Sequence, residues 1–344
     1  MTRTMTYKKL LVTGGLGFIG SSYLRHILSE YPDLEVVNLD LMTYAANPET
    51  LKVYEDDPRY TFFRGDIADP ETVAEALKGC DGIVNFAAET HVDRSIQNAA
   101  PFVRSNVEGV RVLLEAARER RIRMLHVSTD EVYGEVMTGF SREDDAFRPR
   151  SPYSASKAGG DLLVQAYHTT YGMDTVTTRG SNNYGTHQFP EKVIPLFVTN
   201  ALDDKPLPLY GTGKAIRDYI YVLDHARGIH AALLRGRSGE AYNLGGQNQT
   251  DGVTIAETVL DALGKPRDLI QFVKDRPGHD YRYALDISKA QQELEWRPQV
   301  TFAEGIAEVV AWYRDNRAWW QGSKEGQAAY FDAQYAQTNS RGEG

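Results

Sequence analysis

The chain has 344 residues, 42% hydrophobic and 25% charged, the balance of a globular protein with one large or two intimate domains. Its formal net charge of -9 offers no basic field for nucleic acid or an anionic membrane, so an anionic ligand must be held by a few local arginines. Cys80 is the single cysteine, the segment Met1 to Lys9 is too short and polar for a signal peptide, and no run approaches the ~18 apolar residues of a membrane span; a cytoplasmic protein is expected.

In chain order, the first element is a short apolar strand over 8–12. It breaks into Gly14-x-x-Gly17-x-x-Gly20, after which Ile19, Tyr23, Leu24, Ile27 and Leu28 repeat at helical spacing. Further apolar runs at 36–39, 61–63, 82–86 and 124–128 alternate with helical patterns at 70–78, 98–120 and 153–171, and 175–178 reads as one more strand. Continuously apolar strands separated by helices predict an α/β fold, a doubly wound Rossmann-type parallel sheet covered on both faces. Beyond about residue 180 the segments shorten and Pro and Gly become frequent, which predicts a smaller, interleaved substrate-binding domain. The expected division is 1–185 for the dinucleotide domain with a return near 218–245, then 186–217 and 246–320 for the substrate domain. A late amphipathic helix is expected over 302–317, and a polar tail over 321–344.

The glycine trio sits where a strand turns into a helix. Gly14, Gly17 and Gly20 permit the tight turn and let backbone N–H groups approach a pyrophosphate. Asp40 ends the next strand, 20 residues beyond Gly20, where a carboxylate can accept from both ribose hydroxyls of NAD and repel the extra phosphate of NADP. Asp66-Ile67, after the third strand, is placed to flank the adenine. The small residues of Phe86-Ala87-Ala88, after the fourth, let backbone pass close to the cofactor.

Tyr153 and Lys157, four apart, share one face of a helix whose start is marked by Ser151 as N-cap and Pro152 in the first turn. There a lysine ammonium can lower the phenol's pKa and make it a usable base. The preceding strand ends in Thr129-Asp130-Glu131. Two neighbouring carboxyls in a partly buried pocket do not both ionise cheaply, so their pKa values are expected to split into an acid and a base. Hydride movement calls for the first pair; water loss calls for the second.

The glycine spacing with Tyr153-x-x-x-Lys157 resembles the extended short-chain dehydrogenase/reductase family. Within it, Ser128 to Gly134, His91 to Ser95, Ser151 to Lys157, Ser181 to Gly185, Phe189 to Lys192, Ile216 to Asp218 and Asp275 to Asp280 are similar to the signature blocks of the dTDP-glucose 4,6-dehydratases, in family order over roughly residues 8–320. The resemblance implies an NAD-dependent hydro-lyase. Tyr153 and NAD oxidise the sugar C4 hydroxyl, with Thr129 holding that hydroxyl; Glu131 removes the C5 proton while Asp130 protonates the departing C6 hydroxyl; the hydride returns to C6. It also implies NAD contacts at Phe18, Ile19, Thr43, Ser105, Tyr153, Lys157 and Asn183. Nucleotide-sugar contacts are implied at Thr90, Thr129, Asn182, Lys192, Val193, Pro208, Leu209, Tyr210, Arg217, Arg276 and His279, with the two arginines suited to a diphosphate.

The chain departs from the pattern at Gly252, where the family places a substrate-contacting Asn, so that either Asn248 substitutes or one phosphate contact is missing, and at Thr186 and Tyr219. A homodimer through 98–120 and 153–171 is suggested, with no metal, nucleic acid or membrane partner. The competing readings are the same reaction on UDP- or CDP-glucose and a non-catalytic NAD-binding sensor.

Overall fold

The computed structural model describes residues 6–275 and 280–325. Arg276, His279 and the tail beyond 325 lie outside the described residues. The first half of the chain runs β1 (Lys9–Thr13), α1 (Phe18–Glu30), β2 (Glu35–Asp40), β3 (Tyr60–Arg64), α2 (Pro70–Ala76), β4 (Gly82–Asn85), α3 (Val92–Gln97), α4 (Ala100–Val103), α5 (Val110–Arg120), β5 (Arg123–Thr129), α6 (Pro152–Tyr171) and β6 (Thr175–Gly180). The second half adds β7 (Asn182–Tyr184), α7 (Val193–Leu202), β8 (Leu207–Tyr210), β9 (Ile216–Tyr221), α8 (Val222–Arg235), β10 (Ala241–Leu244), β11 (Gln249–Asp251), α9 (Gly252–Leu263), β12 (Ile270–Val273), α10 (Ser288–Leu294), α11 (Phe302–Asp315) and α12 (Arg317–Glu325).

Seven strands form one parallel sheet in the order β10-β6-β5-β4-β1-β2-β3. The inner strands are buried because helices cover both faces, and β5 is buried along its whole length, whereas the edge strand β3 leaves Phe62 exposed. On one face Leu24 and Ile27 of α1 pack with Ile229 of α8 and Leu294 of α10. On the other, Val73 of α2, Leu113 of α5 and Val164 of α6 pack together. The chain leaves β1 toward β2 and β3, then returns on the other side of β1 to β4. That reversal opens a crevice at the strands' carboxyl ends, where open α/β sheets bind ligands.

A third cluster unites Phe197 of α7, Leu209 of β8, Leu260 of α9, Val309 of α11 and Trp320 of α12. It carries the small sheets β11-β9-β7 and β12-β8. Three details differ from the sequence reading. The helix expected over 98–120 is interrupted by a π-helical turn, Arg104–Gly109, where Asn106 turns its amide to the backbone N–H and carbonyl of Glu89, each at 3.0 Å, and to Ser156 at 2.9 Å. Leu285, Ile287, Ala290, Leu294 and Trp296, expected in the substrate lobe, pack in the core of the large sheet, and the Trp296 indole donates to the Asp224 carbonyl at 3.0 Å. The expected tail begins later, because α12 buries Trp320 and continues to Glu325.

Candidate active site

Two adjoining clefts meet above the carboxyl ends of the large sheet. The first is lined by Gly14, Gly17, Phe18, Ile19, Gly20, Asp40, Thr43, Asp66, Ile67, Phe86, Ala87, Ala88, Ser105, Tyr153, Lys157 and Asn183, so every residue expected at the cofactor faces one space. The turn after β1 has no room for side chains. Gly14 has φ +70°, and a Cβ on it would lie 2.6 Å from the Ala87 nitrogen. A Cβ on Gly20 would lie 2.3 Å from the Gly14 carbonyl oxygen. Helix α1 starts at Gly17 with no side-chain cap and no acidic residue in its first turn, which leaves its N-terminus suited to an anion.

Asp40 is anchored at the rim. Its two carboxylate oxygens accept from the backbone N–H of Leu16 at 2.9 Å and of Met42 at 2.7 Å. Burial raises its pKa, and these two hydrogen bonds oppose the rise. Each oxygen retains acceptor capacity, as the ribose role requires. Asp66 caps its own turn at the Ala68 N–H and pairs with Arg104 at 2.8 Å. The cradle that added Cβ atoms would fill, the uncapped helix end and the acidic acceptor together fit NAD.

The second cleft is lined by Thr90, Asn182, Lys192, Val193, Pro208, Leu209, Tyr210, Arg217 and Gly252, together with His91, Glu131 and Glu191. Thr90, Glu131, Asn182, Glu191 and Lys192 line both clefts and mark their junction. Arg217 is 8% exposed; its guanidinium donates to the carbonyls of Ile216 and Asp280, each at 2.8 Å, and lies 4.5 Å from the centre of the Tyr283 ring. Asn248 does not line either cleft. Its backbone N–H donates to Asp218 at 2.6 Å and its carbonyl accepts from the Tyr219 N–H at 3.0 Å, which ties its backbone to β9.

Thr129, Asp130, Glu131, Tyr153 and Lys157 gather in the first cleft, and Glu131 reaches the second as well. Strand β5 ends at Thr129, which caps a single 3₁₀ turn, Asp130–Tyr133, and accepts from the Glu131 N–H at 3.3 Å. The turn breaks strand alternation, so both carboxyls reach one space. They are not equivalent. Asp130 is 4% exposed, and its pKa is pushed well up by burial and then by the charges of Glu131 and Asp218. Glu131 is half-buried and faces both clefts. Asp130 is thereby held as the proton carrier of the pair.

Helix α6 positions the other pair. A reciprocal Ser151–Ser154 capping box starts it, Pro152 occupies its first turn, and the Tyr153 N–H donates to Ser95 at 3.1 Å. The expected depression of the phenol's pKa is not what the protein's own groups produce. Burial and the nearby Glu131 push Tyr153 upward, while a hydrogen bond with Thr129 pulls it down. Lys157 donates to the Val127 carbonyl at 2.7 Å, and burial lowers its pKa to about 8. Both groups are buried, so desolvation disfavours the charged form of each.

Glu191 and His225 are lining residues that the sequence reading left unassigned. Glu191 accepts from the Tyr44 hydroxyl at 3.3 Å and lies 3.7 Å from His91 and 3.8 Å from Arg94; burial raises its pKa. Its place directly before Lys192 was the signal that pointed to it. His225 sits inside an amphipathic helical pattern and carried no such signal.

Comparison with known proteins agrees with this geometry. A family profile described as GDP-mannose 4,6 dehydratase matches residues 11–309. A dTDP-glucose 4,6-dehydratase of an Actinoplanes species is 51% identical, across 91% of this chain and 99% of its own. Among solved structures, a dTDP-glucose 4,6-dehydratase of Streptomyces venezuelae with NAD bound superposes with a TM-score of 0.90 at 50% identity, over 92% of this chain and 100% of its own. The dTDP-glucose 4,6-dehydratase of Bacillus anthracis in complex with NAD gives 0.87 at 43% identity, over 92% and 99%. With the profile spanning most of the chain and relatives about half identical over nine-tenths of it, the chain belongs to the family described as GDP-mannose 4,6 dehydratase, alongside the dTDP-glucose 4,6-dehydratases.

Proposed function

We propose that the protein is an NAD-dependent hydro-lyase that converts dTDP-glucose to dTDP-4-keto-6-deoxyglucose. The observation that carries the reading is the gathering of Thr129, Asp130, Glu131, Tyr153 and Lys157 in one cleft, with Glu131 also facing the second. NAD, when bound, supplies the hydride acceptor for C4 and the donor for C6. Tyr153 takes the C4 hydroxyl proton, with Thr129 holding that oxygen and Lys157 orienting the ribose. Glu131, the more exposed carboxylate, removes the proton at C5. Asp130, held protonated by burial, gives its proton to the leaving C6 hydroxyl. Neither carboxyl has to change role during the elimination; as hydride returns to C6, Glu131 gives its proton back to C5, and the proton taken up at Tyr153 makes good the one Asp130 gave away.

In the same reading, Gly14, Gly17, Phe18, Ile19, Gly20, Asp40, Thr43, Asp66, Ile67, Phe86, Ala87, Ala88, Ser105 and Asn183 hold the dinucleotide. Thr90, Asn182, Lys192, Val193, Pro208, Leu209, Tyr210 and Arg217 hold the nucleotide sugar. The large sheet with its two covering layers is the cofactor domain, and the cluster around Phe197 and Val309 belongs to the substrate domain. The protein is cytoplasmic and pairs into a homodimer through α4 to α6, a reading supported by exposed Val103, Leu162 and Tyr171, each at least 53% accessible; a monomer in sedimentation equilibrium would refute the pairing.

The deciding experiment is turnover of dTDP-, UDP- and CDP-glucose with product identification, using dTDP-glucose deuterated at C4. The expected result is preference for the thymidine nucleotide with deuterium recovered at C6. Preference for another nucleotide would move the substrate assignment, loss of label to solvent would refute internal hydride return, and no dehydration of any of them would leave an NAD-binding sensor.

A further inference from the structure

Asn183 on β7 is held unusually firmly for a residue facing the cofactor cleft. Its Nδ2 donates to the Ser181 carbonyl at 2.9 Å, and its own backbone carbonyl accepts from the Gln188 amide at 2.9 Å. Its Oδ1 lies 2.9 Å from Nδ1 of His225, in the first turn of α8. These contacts fix the protons. The Ser181 carbonyl only accepts, so the nitrogen of the Asn183 amide must face it and the oxygen must face His225. That oxygen also only accepts, so Nδ1 of His225 carries the ring proton and Nε2 holds a lone pair.

The site is built around the imidazole. His225 is 1% exposed and lines the cofactor cleft. Its Nε2 is buried with no hydrogen-bond partner among the described residues. A Cβ on Gly180 would lie 2.5 Å from Cε1 and 2.6 Å from Nε2, so the ring occupies the space that a glycine at the end of β6 leaves. Burial lowers the ring's pKa to about 3, and it stays neutral through the physiological range.

We propose that His225 is a positioning residue for the cofactor: its Nδ1–H fixes the Asn183 amide in the one orientation that presents an N–H to bound NAD. The proposal rests on the reading of Asn183 as a cofactor contact. It adds a residue from α8, a helix outside the expected binding set, and assigns a purpose to Gly180. A flipped Asn183 would turn a carbonyl oxygen toward the dinucleotide and set two acceptors, Oδ1 and the Ser181 carbonyl, against each other.

The test uses full-length protein stripped of and reloaded with NAD. His225→Leu removes the donor, and His225→Asn places an amide N–H near the lost Nδ1–H. The expected result is that His225→Leu weakens NAD binding about five- to tenfold, the worth of one hydrogen bond, measured by calorimetry without substrate. In turnover, kcat falls while KM for dTDP-glucose stays within about twofold, and His225→Asn recovers most of both losses. Added to Asn183→Ala, His225→Leu should cost nothing further, because the two act as one unit. Parental NAD affinity in His225→Leu, full additivity with Asn183→Ala, or failure of His225→Asn to rescue would each overturn the proposal. Should His225→Leu not fold, Asn183→Leu removes the same hydrogen bond from the other side, and parental NAD affinity in it overturns the proposal equally. NAD affinity is read without nucleotide sugar, so its outcome is separate from that of the substrate assignment.

Discussion

The two clefts are built in opposite ways. The cofactor cleft draws on successive carboxyl ends of one parallel sheet, so the glycine turn, Asp40, Asp66-Ile67 and Phe86-Ala87-Ala88 each follow or end a strand of it. The substrate cleft is assembled from the α7 entry, β8, β9 and α9, which are held together by one apolar cluster rather than by one sheet. A cleft made from a continuous sheet inherits its geometry from strand register. One made from separate pieces depends on how side chains pack between them, and it is the place where substrate preference can change while the chemistry is kept.

The largest test of this contrast lies at the junction. Glu131→Gln is expected to lower kcat by ~10²–10⁴-fold with nucleotide-sugar affinity nearly unchanged, as read by steady-state kinetics and equilibrium binding. An unchanged kcat would remove Glu131 from the base role.

A second test is acid unfolding. Burial lowers the pKa of His187, His225 and His230 to about 3 each, with the Arg25 charge adding to the effect at His187. Unfolded histidines titrate near ~6.5. As pH falls, the unfolded chain takes up protons first, so this contribution is complete above pH ~6.5 and is lost toward pH ~3. Denaturant midpoints should drop across that window, and replacing His230 with a neutral isostere should flatten the drop. A midpoint indifferent to pH there would contradict the burial of these rings in the neutral form.

Third, Gly14→Ala adds a side chain at positive φ and against the Ala87 backbone. A cost of ~1–3 kcal/mol is expected, seen as weaker NAD retention together with a lower melting temperature. Normal NAD binding would show that the turn can adjust. The smallest effect is expected at Gly252→Asn. The new Cβ would lie 2.8 Å from a Leu209 methyl, the movable end of a side chain, so the residue can be accommodated. A gained hydrogen bond should lower KM for dTDP-glucose by ~2–10-fold. A raised KM would mean that the open position at 252 is itself part of how this cleft receives its substrate.

The same contrast explains what could be read from the sequence. The glycine turn, Asp40, the Phe86-Ala87-Ala88 passage and the Tyr153/Lys157 helix are local: each depends on a strand, a turn and a few neighbours in the chain. Asn248 depends on the pairing of β9 with β11, which no periodicity encodes, and it lines neither cleft. His225 reaches the cofactor cleft through tertiary packing alone, whereas Glu191 is marked in the sequence only by its neighbour Lys192. The effect of Lys157 on Tyr153 was misjudged for a related reason, because helical spacing reports proximity and not desolvation. The π-helical turn at 104–109 follows from the bonds of Asn106 to Glu89 and Ser156, distant partners that its own helix does not reveal.

Strand β7 is only three residues long, yet Asn182 borders the substrate cleft while Asn183 borders the cofactor cleft alone. Side chains alternate along a strand, so two consecutive residues serve as a ruler one peptide wide between the two ligands. Pairing of Asn182 with Tyr219 and of Asn183 with Ile220 pins that ruler to β9. Lengthening the chain by one residue before Asn182 would slide the wrong side chain under each ligand. The two halves of the site can therefore vary in what they grip, but not in how far apart they hold it.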